Sequence, residues 1–123
     1  MAVAAKNRRS IEVGGQSYLW WVAEDEEAYG AFTLTVVSQD KHLLVKYQLI
    51  QPDETRHLVV LGRSFRQRTD CGGPWRRFRC PAFGADDMVT PRDVARLIEW
   101  CTTDSDALIE IDWRGCVIST TAG

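Results

Sequence analysis

The amino-acid sequence predicts an α+β fold: an antiparallel sheet of five to six strands in meander order, covered on one face by a single helix in the C-terminal half. Three observations predict it. Short runs with an apolar residue at every second position are separated by turn signals, which is the pattern of successive hairpins. One segment, 89–101, carries helical spacing together with a start signal. The chain's 123 residues, 45% of them apolar and 26% charged, suffice for one core and divide poorly into two.

The opening MAVAAKNRR places its small apolar residues before its charges, the reverse of a secretory signal, and no later run reaches the length of a membrane span. Residues 1–9 are read as a flexible N-terminus, 10–120 as a single domain, and the protein as cytoplasmic. The first hairpin alternates Ile11 and Val13 before Gly14-Gly15, then Tyr18, Trp20 and Val22 after it. Leu19 and Trp21 make the other face of that strand apolar too. Consecutive strand residues point to opposite faces, so one of Trp20 and Trp21 enters the helix-covered core. The other faces a second layer, a subunit interface or water.

An acidic group, Glu24 to Glu27, closes that strand. The second hairpin carries Phe32, Leu34 and Val36 on one arm and Leu43, Val45, Tyr47 and Leu49 on the other, with SQDK as its turn. Pro52-Asp53 marks a further turn before the short apolar strand HLVVLG. Near the C-terminus, Ile109, Ile111 and Trp113 alternate with Glu110 and Asp112 as a half-buried strand, and Arg114-Gly115 turns the chain into CVIST.

The helix is the best specified element. Thr90 is a favoured N-cap, Pro91 suits the first helical position, and Asp93 stands where a capping-box acid reaches back. Val94, Leu97, Ile98 and Cys101 form its apolar stripe, predicting a helix over 91–101. The run V-T-P-x-x-V-x-x-L-I-x-W, placed after a strand pair bearing Tyr18 and Trp20, resembles that of small uncharacterised bacterial proteins built as a strand meander followed by a helix. The resemblance implies the fold and a bacterial source, and no activity.

Residues 63–88 interrupt the rhythm. They are read as a long Arg-rich loop because Gly72-Gly73-Pro74, Pro81 and Gly84 punctuate them without sustained periodicity. Residues 62–81 hold six arginines and one acid, against nine bases and sixteen acids in the remainder. An acidic body with one basic patch is therefore expected. Dedicated DNA-binding domains are usually basic throughout.

Arginines and aromatics are the favoured anchors of protein interfaces. The first reading is accordingly a small non-catalytic binding or adaptor protein, self-associating as a homodimer. It contacts its partner through this loop and the sheet face around Trp21, with Trp21, Arg66, Arg68, Trp75, Arg76, Arg77 and Phe78 as binding residues. A second reading uses the same arginines for phosphates and Phe65, Trp75 and Phe78 for base stacking, which makes the protein a single-stranded nucleic-acid binder. A third reading makes it a thiol enzyme, with Cys71 beside Asp70 activated by the nearby Arg68 and a histidine elsewhere in the chain.

The spacing offers no catalytic signature, no phosphate-binding glycine loop and no paired zinc ligands, so neither metal nor cofactor is expected. Cys101 and Cys116 read as small core residues, and the histidines His42 and His57 as strand residues. Cys71 and Cys80 remain without a role.

Overall fold

The computed structural model describes residues 8–24, 32–62, 65, 76–84, 88–103 and 108–121. Eight strands, β1 (Arg9–Val13), β2 (Gln16–Glu24), β3 (Phe32–Ser38), β4 (Leu44–Gln48), β5 (His57–Val60), β6 (Arg76–Arg79), β7 (Leu108–Ile111) and β8 (Val117–Thr121), form one antiparallel sheet in sequence order. The helix α1 (Pro91–Thr102) is inserted between β6 and β7. Its backbone nonetheless lies against β1, at the far end of the strand order. The sheet therefore curves round it.

The α+β class stands, but the sheet has eight strands where five to six are expected. The clearest omission is β6, which falls inside the segment read as loop. Phe78 is the one apolar residue in Arg76–Arg79, so the strand carries no alternation of its own. It pairs in register with β5 through His57–Arg79, Leu58–Phe78, Val59–Arg77 and Val60–Arg76. Residues 1–7 lie outside the described residues, yet Arg9 of the predicted flexible terminus opens β1 and lays its guanidinium 5.6 Å from the Trp20 ring centre.

Local chemistry explains the boundaries. The β1–β2 turn is Gly14-Gly15, with φ of 60° and 81°, the left-handed pair that a two-residue hairpin requires. The β3–β4 turn is tied by Asp40, whose Oδ1 accepts from the Ser38 hydroxyl at 2.5 Å and from the His42 N–H at 3.0 Å. The Leu43 N–H donates in turn to Ser38 Oγ at 3.0 Å. At α1 the capping box forms as expected: Asp93 N–H donates to Thr90 Oγ1, and Thr90 N–H donates to Asp93 Oδ2 at 3.0 Å. Gly62 follows β5 where the chain passes close to β4, and a Cβ there would fall 2.3 Å from the His42 carbonyl oxygen.

The core lies between α1 and the inner face of the sheet. Val94, Leu97, Ile98 and Cys101 pack on Tyr18, Trp20, Leu34, Val36, Val45, Tyr47, Leu58, Val60 and Phe78. An aromatic chain runs through it, from Tyr47 to Phe83 (5.6 Å between ring centres), to Trp100 (6.2 Å), to Phe65 (5.9 Å) and on to Phe78 (4.9 Å). Each such ring adds about 1.5–3 kcal/mol by leaving water. Arg56 closes the wall beside Tyr47, donating to its hydroxyl at 2.8 Å, to the Gln51 carbonyl and to Asp53. The bonds to Asp53, foremost, and to Tyr47 hold its guanidinium above its ordinary pKa.

Two terminal expectations change. Trp113 sits in the β7–β8 turn and is exposed, and Cys116 is exposed as well. Asp112 organises this turn, its Oδ1 accepting from the Arg114 and Cys116 N–H groups. The backbone has left strand geometry before either residue could continue the alternation.

Candidate functional site

Strand register places the expected binding residues on two different faces. Directly paired residues of antiparallel strands project to the same side, and neighbours along a strand to opposite sides. Trp20 pairs with Val36, Val36 with Val45, Val45 with Val60, and Val60 with Arg76: this row belongs to the inner face. Trp21 pairs with Thr35, Thr35 with Lys46, Lys46 with Val59, Val59 with Arg77, and Arg77 with Ile111: this row crosses six strands on the outer face. Trp21 and Arg77 are thus about 19 Å apart, four strand spacings, along one row.

The seven expected binding residues separate accordingly. Trp21 is half-buried on the outer face, with the Arg8 guanidinium 4.5 Å from its ring centre. Arg77, also half-buried, shares that face. Arg76 projects inward instead. Its Nε and Nη2 donate to the two carboxylate oxygens of Glu110 at 3.1 and 2.9 Å, and its guanidinium lies 5.2 Å from the Phe78 ring. Phe78 is 5% exposed, stacked on Phe65 in the core, and is not a surface contact. The reason is its pairing with Leu58, which faces α1. Arg66, Arg68 and Trp75 lie outside the described residues.

Base stacking on Phe65, Trp75 and Phe78 meets the same difficulty. Phe65 is 1% exposed, so two of those three rings are already covered by protein.

The outer face also assembles residues that reading the chain passes over. Lys46 is exposed between the buried Val45 and Tyr47 and reads as an ordinary solvated position of a strand. Only register shows that it stands beside Thr35 and in line with Trp21 and Arg77. Arg8, Lys46, Arg77 and Arg79 give this face several cations, with Glu12 on the edge strand β1 as an acid. Thr35, a buried polar residue between Trp21 and Lys46, sits at its centre.

The thiols and histidines arrange less. Cys101 is fully buried in the core. Cys80 is half-buried beside Arg56, and burial pushes its thiol up to about 12, the positive charge opposing this only weakly. At neutral pH it is protonated and a poor nucleophile. Cys71 lies outside the described residues. His57 Nδ1 is 2.8 Å from the Thr55 carbonyl oxygen, and His42 lies 3.6 Å from Asp40. Among the described residues no three His, Cys, Asp or Glu side chains gather as a metal site, and no helix is long and apolar enough to cross a membrane. No protein family, curated protein or solved structure matches the chain.

Proposed function

We propose that the chain is a non-catalytic binding module whose outer sheet face receives an acidic protein segment, that of a second copy of the chain included. The observation that carries this is the cross-strand row containing Trp21, Lys46 and Arg77, flanked by Arg8 over the Trp21 ring. A half-buried indole offers apolar contact area at small entropic cost, and the cations orient carboxylates against it. The arginines of 63–75 belong to this reading as additional charge and carry no part of the geometric argument. A protein partner is favoured over single-stranded nucleic acid because the described residues place one ring, Trp21, in this row where base stacking uses several, and because the chain as a whole is acidic.

Fluorescence anisotropy with a labelled, leucine-containing oligo-glutamate peptide tests the reading, alongside a labelled oligo-dT strand. The peptide is expected to bind in low salt and to lose about tenfold in affinity with Trp21→Asp or Lys46→Glu, equivalent to about 1.4 kcal/mol. Peptide binding that is absent, or indifferent to both substitutions, overturns it. Tight oligo-dT binding with a steep salt dependence replaces it with the nucleic-acid reading. Sedimentation across a concentration series decides whether the chain is its own partner.

A further inference from the structure

One corner of the outer face is concave. Ser10 of β1, Ser17 and Leu19 of β2 and Val37 of β3 line a cleft of about 320 Å³ whose rim includes Arg8 and Lys41. Register explains the floor: Ser10 pairs with Leu19, and Leu19 with Val37, so one serine and two apolar side chains share a row. Leu19 is 38% exposed, a large apolar group open to solvent at the floor of a depression. The walls are mainly apolar.

The rim has a built feature. Lys41 adopts φ of 65°, a left-handed conformation that few residues other than glycine take. The turn that imposes it is over-determined. Lys41 N–H donates to the Ser38 carbonyl at 2.9 Å, Ser38 N–H to the Leu43 carbonyl at 2.9 Å, and Gln39 N–H to the Ser17 carbonyl at 3.0 Å. A non-glycine residue held in this region costs about 1–3 kcal/mol, which the surrounding turn must offset. Here the result is a lysine whose backbone is held at the mouth of an apolar cleft, with Arg8, the residue before β1, also lining it.

We propose that this cleft binds a small carboxylate with an apolar body, its chain lying on Leu19 and Val37 and its carboxylate meeting Lys41 and Arg8. The ionisable side chains lining the cleft, Arg8 and Lys41, are both cations, and this favours an anionic ligand group. The acids nearby are Asp40, whose Oδ1 already takes the Ser38 hydroxyl and the His42 N–H, and Glu12 on the edge strand. A volume of about 320 Å³ lies at the small end of ligand pockets, which suits a short-chain acid such as octanoate. This goes beyond the acidic-segment reading: the two share Arg8, but Trp21, Lys46 and Arg77 do not line the cleft.

Backbone amide NMR with octanoate as the probe, and octan-1-ol as its uncharged counterpart, tests the proposal. Octanoate is expected to shift Ser10, Ser17, Leu19, Val37 and Gln39 and to saturate, with octanol at least about tenfold weaker. Lys41→Asn, chosen because asparagine tolerates the left-handed region, should weaken octanoate about tenfold, and Lys46→Glu should leave it unchanged. If Lys41→Asn disturbs the turn in the unliganded spectrum, Arg8→Gln provides the same reading from the other rim. Shifts that are absent or scattered, equal binding of octanol, or wild-type octanoate affinity in both rim variants overturns the proposal. Loss of peptide binding in Lys46→Glu with octanoate binding intact separates this site from the wider face.

Discussion

The two faces of the sheet are made by the same strands, often by adjacent residues, and they solve different problems. On the inner face, Trp20, Tyr47 and Phe78 are nearly inaccessible, and a charge on that face, Arg76, is matched by the two oxygens of Glu110. On the outer face Trp21 and Lys46 keep contact with water, and among the described residues the cations outnumber the acids. The difference teaches that charge in this protein is not partitioned simply into core and surface. One arginine of the R-R-F-R strand faces the core side and pairs with Glu110 while the next faces the candidate binding side, and their separation is a single residue.

The comparison breaks most visibly at Phe78 and Lys46. Phe78→Ala is expected to cost about 3–5 kcal/mol, because it empties a site stacked on Phe65 and beside α1. Lys46→Ala should change stability by less than about 0.5 kcal/mol, since the side chain is exposed. Urea unfolding of both variants measures the contrast. Equal effects would mean that the outer face is as structural as the inner one.

A sharper probe is the pair Arg76 and Glu110, with side chains 32% and 15% exposed. Its fork geometry and partial burial place it above a solvated ion pair, so a double-mutant cycle with Arg76→Ala and Glu110→Ala is expected to give a coupling of about 1–2 kcal/mol. A coupling indistinguishable from zero would assign Arg76 to the surface after all, alongside Arg77.

How much of this the chain discloses depends on the range of the signal. The helix and its capping box are written in consecutive residues, so Thr90, Pro91 and Asp93 suffice to place them. The opposite orientations of Trp20 and Trp21 follow from strand period alone, although period does not say which of the two is inside. The strand Arg76–Arg79 is hidden because its inner-facing partner for Phe78 is a salt-bridged arginine, and alternation is sought in apolar residues. Phe78 illustrates the consequence: with its strand unseen, an aromatic amid arginines reads as a contact residue when it is core. Lys46, Arg8 and Lys41 escape notice for another reason. They are ordinary cations along the chain, and only strand register and one left-handed turn bring them beside apolar surface.

The smallest effect concerns what keeps the two faces apart. A slip of one residue between β3 and β4 would exchange Val45 and Tyr47 with Lys46, so the turn that sets their register also sets which residues are core. Asp40 is the carboxylate of that turn, with the His42 ring 3.6 Å away. The hydrogen bond from Ser38 first, and that from the His42 N–H second, hold its carboxyl below its ordinary value of 3.8. A carboxylate whose folded pKa is lowered contributes stability that is fully present above the unfolded value and is lost as pH falls through the folded one. Asp40→Asn keeps the oxygen acceptor and removes the charge. The variant is therefore expected to be less stable than the parent at neutral pH, with the gap closing as pH drops below 3.8. Paired urea midpoints on either side of that value measure it, and a gap that persists unchanged in acid would show that the turn depends on the shape of Asp40 rather than on its charge.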